Sequence, residues 1–371
     1  MRNTNKKGFT IVELVIVVAV IAILAAVLIP TFSGVIAKAK LSADKKAVQE
    51  MNTYIAMEEA DSFEKALAAL EKNKVNTKNL TPISAEYSFV WNSETNKIEL
   101  VETKADTKDI LESVKEVDVT VNTADYFVFA VNNGSKSIKL GADITVDRDI
   151  IFEGENITLD LGGKKLTTTV IKNAGNPEKE EHAYIRVNAG ASVTITNGTF
   201  EGRGVMVNKD GKLTVKDGTV INALDVNGGG CIRVKAGANV VIEGGTFNVP
   251  NRIAWDDVNK GGAAAVYNQG GTITIKGGTF NSNTTAYLIG NESGTITIDG
   301  GTFTAYRGAL SATGGEVVVN GGTFEVTNDE QGGRVAYAVG GSIVLNGGSF
   351  SHVNADHDYW YVGNVTGDAK K

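Results

Sequence analysis

Between residues 190 and 350 one unit of about eleven residues recurs seven times. Its clearest copies are Gly270–Phe280 (GGTITIKGGTF), Ser293–Phe303 (SGTITIDGGTF), Gly314–Phe324 (GGEVVVNGGTF) and Gly340–Phe350 (GGSIVLNGGSF). Looser copies end at Phe200, Val220 and Phe247. Counting back from each last residue, positions seven and five back are aliphatic in every copy, from Val193 and Ile195 to Ile343 and Leu345. The residues between and after them are Thr, Val or polar, so apolar and polar positions alternate with period two. That is the signature of a strand with one buried face. Two back is always glycine, three back is Asn, Asp or Gly, and one back is Thr or Ser. Asn, Asp and Gly tolerate positive φ, so a sharp corner is expected there, after which the terminal Phe or Val turns back into the core. There is no Gly-X-Y period, which excludes collagen. Of 43 glycines only Gly8 and Gly34 precede residue 131, so glycine abundance follows the repeat rather than low complexity.

The copies are separated by 20, 27, 33, 23, 21 and 26 residues. Equal strands with unequal connections suit a parallel β-solenoid with one coil per repeat; a four-stranded propeller blade would need about 40 residues. Ser137–Leu140, Ile144–Val146, Ile150–Phe152 and Ile157–Leu161 fit earlier coils. The stretch Lys139 to Thr168 resembles the opening of a right-handed parallel β-helix of the pectate-lyase-like superfamily. Loops at Lys172–Ala183, Pro250–Lys260 and Asn328–Arg334 are expected to project from the rod, and Tyr359, Trp360 and Tyr361 to cap its end.

The other end of the chain has a different character. Phe9 to Ile29 spans 21 positions, of which only Thr10 and Glu13 are polar. As a helix it would be about 31 Å long, enough to cross a bilayer core. Arg2, Lys6 and Lys7 precede it. An apolar run longer than a secretory h-region, with no Ala-x-Ala site after it, argues against a cleaved signal peptide. A carboxylate at Glu13 inside such a span needs a partner. The segment Gly8-Phe9-Thr10-Ile11-Val12-Glu13-Leu14 closely resembles the type IV prepilin signature. The resemblance implies cleavage after Gly8 by a prepilin peptidase that also N-methylates Phe9. It implies that Glu13, fifth in the mature chain, neutralises the terminal amine of a neighbouring subunit. Pro30, at mature position 22, stands where such proteins carry a proline that kinks or locally melts the helix, as an interior proline does by removing a donor and clashing one turn back. The helix is expected to continue to Glu59, with Ile36, Ala43, Ala47, Met51, Tyr54 and Ile55 as its apolar stripe.

Ser62 is expected to cap a short second helix, and Tyr87–Trp91 and Lys97–Val101 to form a hairpin. Asp109 to Val117 reads as another short helix. The expected fold class is α+β: leader 1–8, pilin-type helix 9–60, a small α/β head 61–130, and the parallel β-helix 131–371.

Charge and cysteine narrow the function. Residues 1–130 carry a net −3 and residues 131–371 a net −4, so the basic footprint of a nucleic-acid binder is missing. Cys231 is alone, which excludes an intramolecular disulfide and suggests a small buried residue. Enzymes on β-helices use carboxylate pairs, or Ca²⁺ with a basic residue. Asp143, Asp147, Asp149 and Asp160 match no catalytic motif, and Asp147 and Asp149 read as a solvated face. Trp255 with Asp256 and Asp257 offers a stacking ring and carboxylates for a sugar. His352, Asp356, His357 and Asp358 match no zinc spacing. No catalytic residue, metal or cofactor is therefore assigned. The resemblance implies a membrane-anchored pilin-like subunit, of a minor kind, with prepilin peptidase/methyltransferase and other pilin subunits as partners. The rod would lie outside the cell, on the surface or a pilus, with extracellular carbohydrate as the expected ligand class. The alternatives are an anchored polysaccharide lyase or hydrolase, and a pseudopilin of a secretion system.

Overall fold

The computed structural model describes residues 11–75, 80–92, 94–103, 118–172, 180–223, 230–249, 264–283, 286–328, 333–353 and 360–369; of residues 11–15, 19, 21–33, 64, 170–172 and 180–182 only the backbone is described. The chain forms two compact units, Met1–Ala66 with Asn79–Ile110, and Leu67–Lys78 with Leu111–Lys371. The helix expected at Asp109–Val117 lies outside the described residues.

In the first unit, helix α1 (Ile11–Met57) is continuous across Pro30, with no local melt. Its apolar stripe is buried only at Met51 and Ile55, whereas Ile36 is 53% exposed. Helix α2 (Phe63–Lys72), whose residues from Leu67 onward count to the second unit, begins where Ser62 Oγ accepts the amide of Lys65 at 3.3 Å. Strands β1 (Tyr87–Asn92) and β2 (Lys97–Glu102) form the expected antiparallel hairpin. A two-stranded hairpin is marginal by itself, and two polar residues of α1 secure this one. Asn52 Nδ2 donates to the carbonyl of Ile98 at 2.8 Å and its Oδ1 accepts the Ile98 amide at 2.8 Å. The side-chain amide thus stands in for a third strand. Asp44, 2% exposed, accepts the amides of Ile83 at 2.7 Å and Ser84 at 2.9 Å.

The second unit is a parallel β-solenoid of about eight turns. Its coils build three faces. The first carries Ile150–Phe152, Ile185–Val187, Val205–Val207 and Ile232–Lys235. The second carries Ile157–Asp160, Ser192–Thr196, Lys212–Val215 and Asn239–Ile242. From Val266–Ile275 onward a single bent strand often serves both faces, so they merge into one sixteen-stranded sheet. The third face is a separate nine-stranded sheet from Ile144–Val146 to Ser349–His352. The fourteen aliphatic repeat positions face inward, each at most 2% exposed. Phe247, Phe280, Phe303, Phe324 and Phe350 stack along the third face with ring centroids 4.4–5.0 Å apart. That spacing is the rise of one coil, so the backbone ladder and the ring stack share one period.

Two expectations about the corner are corrected. The glycine two back does take positive φ, between 100° and 114° at Gly245, Gly278, Gly301, Gly322 and Gly348. Three back, Asn197 takes the expected positive φ of 56°, but the glycines of the later copies do not. A Cβ on Gly300 would lie 2.8 Å from the carbonyl oxygen of Lys276 in the coil before it, so close approach excludes a side chain there. In the copy ending at Val220 the corner holds one extra residue. Phe200 pairs with Ile221, which in turn pairs with Phe247, so Ile221 enters the core and Val220 faces outward. A one-residue slip moves every side chain to the other face.

Both ends of the solenoid are closed. Strand β3 (Asp118–Val121) pairs in parallel with Ser137–Leu140, so the parallel sheet begins before the repeat is recognisable. Helix α3 (Ala124–Asn132), capped by Thr123, which accepts the amide of Tyr126 at 3.3 Å, packs on the first coil and buries Phe127 and Phe129 completely. At the other end Trp360 is 8% exposed, and its carbonyl accepts the amides of Val335 and Ala336 at 2.9 and 3.0 Å. The Lys172–Ala183 loop begins as an antiparallel ribbon of Val170–Lys172 with Glu180–His182.

Candidate functional site

Gly8 and Phe9 lie outside the described residues, as do Trp255, Asp256, Asp257, Asp356, His357 and Asp358. Glu13 lies within α1, where only its backbone is described. Just beyond it Ile16, Val17, Val18 and Val20 are 48–58% exposed. Successive helix residues point about 100° apart, so this helix is apolar all round, and such a surface requires either lipid or neighbouring helices. Among the described residues no helix is long and apolar enough to cross a membrane. The run from Phe9 to Ile29 falls mostly on positions where only the backbone is described.

The acids singled out on the solenoid are engaged in holding the backbone. Asp143 accepts the amide of Lys165 at 2.8 Å, and Asp160 accepts that of Gly162 at 2.8 Å and Asn197 Nδ2 at 3.2 Å. Asp147 pairs with Arg148 at 3.2 Å. Asp149 is not part of a solvated face: it accepts the Tyr184 amide at 2.8 Å and forms a short ion pair with Arg186. Among the described residues no three His, Cys, Asp or Glu side chains gather as a metal site. Cys231 is fully buried and burial pushes its thiol up to about 12.

The four-back position of the repeat, which varies in chemistry along the sequence, forms two outward runs of linked side chains. Lys216, Glu243 and Lys276 are linked at 3.0 and 3.6 Å, then Asp299, Asn320 and Asn346 at 2.8 and 3.1 Å. A second ladder joins Asn222, Asn248 and Asn281 at 2.8 and 2.9 Å on the third face.

Sequence reasoning missed the first face. Arg186, Met206, Arg233 and Tyr267 occupy one outward column in register, continued by Gly290, Ser311 and Tyr337. Gly308 and Arg334 pair in the neighbouring column with Tyr287. All six arginines among the described residues lie on this face or the corner leading into it. The Tyr rings lie flat along it. Tyr267 covers Gly290, where a Cβ would come within 2.9 Å of the ring, and Tyr287 covers Gly308 in the same manner. Tyr287 then stacks on Tyr337 with centroids 5.7 Å apart. Arg233 sits over the Tyr267 ring at 5.9 Å, and Arg186 and Arg203 over Tyr184 at 5.1 and 4.7 Å. Burial, then a hydrogen bond to Glu292, pushes the Tyr267 phenol up to about 12. Burial pushes that of Tyr287 to about 12 against the opposing pull of Arg307 and Arg334. The only signal in the sequence was the clustering of Arg and Tyr in the segments between copies, whose register the repeat alone does not set.

Residues 3–29 match the family model of the prokaryotic N-terminal methylation motif. No curated protein and no solved structure matches the chain. The motif implies processing by a prepilin peptidase and assembly with other pilin subunits, and suggests a pilin- or pseudopilin-like protein; the β-helix is a feature of the chain's own fold.

Proposed function

We propose that this chain is a cell-surface type IV pilin-like subunit whose solenoid is displayed for adhesion to carbohydrate. The observation that carries the reading is the methylation motif at residues 3–29 running directly into α1. In this reading Gly8 precedes the cut, Phe9 becomes the methylated N-terminus, and Glu13 pairs with the amine of a neighbouring subunit. The all-round apolar surface at Ile16–Val20 sits first in the membrane and then among other helices. Pro30 leaves one backbone carbonyl unbonded and so eases the passage between the two. A subunit that carries this solenoid is bulky for every position of a filament, which favours a minor subunit. The solenoid acts by binding rather than cleavage. In support, the acids Asp143, Asp149 and Asp160 are each spent on backbone amides.

The test is mass spectrometry of the protein from cells that contain the peptidase. A chain beginning at N-methyl Phe9 is expected; retention of Met1 would overturn the reading. In sheared filaments the protein should be a small fraction, and dominance there would refute the minor role. Incubation with a polysaccharide panel should show retention without release of reducing or unsaturated ends.

A further inference from the structure

We infer that the first face of the solenoid, and not the Trp255 loop, is the ligand surface, and that it takes a linear polysaccharide bearing carboxylate or sulfate groups. The inference rests on the carbohydrate reading above and names its surface and ligand class.

The chemistry of the three outward faces is unequal. The second and third carry ladders of Thr, Val, Asn and paired charges, in which neighbouring coils satisfy one another. The first carries flat phenol rings beside guanidinium groups. Tyr267 and Tyr287 are held flat because the next coil places glycine beneath each ring. A flat ring backed by strand is a stacking platform for the apolar face of a sugar, with little side-chain entropy left to lose. The chain is acidic, with a net charge of −7, yet its described arginines are segregated onto this side. The acids beside them are engaged: Asp149 by Arg186, and Glu292 by Tyr267 Oη at 2.9 Å and Gln269 Nε2 at 3.0 Å. Arginine rather than lysine suits recognition of planar or multi-oxygen anions, because its rigid fork donates two parallel hydrogen bonds. Arg186 and Arg233 stand two coils apart in one column, roughly 9–10 Å, which is close to the length of a disaccharide repeat. A polymer laid along the column would meet Arg186, whose charge is shared with Asp149, then Arg233, and after them the rings of Tyr267 and Tyr337. A nucleic acid offers anionic groups and flat rings to the same surface, and the test includes it as the competing polyanion.

The experiment compares dextran sulfate, dextran, alginate and poly(dT) for binding to the full chain in detergent micelles. Dextran sulfate, alginate or both should bind and dextran should not; the first two separate sulfate from carboxylate recognition. Affinity should fall as NaCl is raised. Tyr267→Ala and Arg334→Gln should each weaken binding about tenfold, the scale of one lost stacked or charge-assisted contact. Tyr267→Phe keeps the ring and should retain binding. Should Tyr267→Ala fail to fold, Arg334→Gln and Arg233→Gln carry the test. Thr274→Ala, on the second face, should bind as the parent does. Equal binding of dextran and dextran sulfate, tighter binding of poly(dT), or undiminished binding by both arginine variants would overturn the inference. Anionic-glycan binding that survives these variants moves the site elsewhere and leaves the adhesive reading standing. No binding to any glycan removes both, while the methylated N-terminus remains an independent readout for the anchor.

Discussion

Single residues in this chain are placed by what the adjacent coil allows. Gly301 has φ +114°, and a Cβ there would come within 3.0 Å of the carbonyl of Gly278. Gly301→Ala should therefore cost about 1–3 kcal/mol, read as a lower denaturant midpoint. Cys231 combines full burial with a thiol held near 12, so thiolate is scarce at neutral pH. Iodoacetamide should leave it unmodified in the folded protein and alkylate it in denaturant; rapid native labelling would contradict its burial. The Tyr267 and Tyr287 phenols have folded values near 12 against an ordinary 10. The unfolded chain releases these protons first, so their contribution is fully present below pH 10 and is lost as pH rises from about 10 toward 12. Denaturation midpoints should fall across that window, and less steeply in the Tyr267→Phe variant.

At the scale of elements, the strands of one face share both a ladder and a side-chain stack. Phe303 lies inside the phenylalanine stack with a ring on each side, whereas Phe350 ends it and is half-buried. Phe303→Ala should cost about 3–5 kcal/mol by leaving a cavity between coils, and Phe350→Ala distinctly less. Thermal unfolding of the two variants side by side checks the order. The hairpin β1–β2 depends on Asn52 in place of a third strand. Asn52→Ala strands the amide and carbonyl of Ile98 and should cost about 1–3 kcal/mol, with faster hydrogen exchange confined to β2. Neither Asn52 nor Asp44 was legible as a clamp, because their partners lie 39 to 46 residues away in the chain.

For the molecule as a whole, the two units answer to different demands. The helical unit carries a carboxylate at Glu13 followed by an apolar surface on every side, an arrangement stabilised only by partners. Glu13→Ala should leave the protein processed and in the membrane while lowering its recovery in sheared filaments severalfold. Unchanged recovery would count against the assembly role. The solenoid, in contrast, satisfies its own core and closes both ends, with α3 over Ile138–Phe152 and Trp360 against Val335.

The amino-acid sequence alone determined the existence of coils, their inward aliphatic positions and the N-terminal methylation motif. Each of these is local: period-two alternation, a glycine at a corner, or a seven-residue segment carries the physics within itself. Tertiary structure decided what depends on register between coils. The extra corner residue that turns Val220 outward and Ile221 inward has no local signature. Nor has the alignment of Arg186, Arg233, Tyr267 and Tyr337 into one column, because those residues fall in connections of unequal length whose phase is set only when neighbouring coils pair.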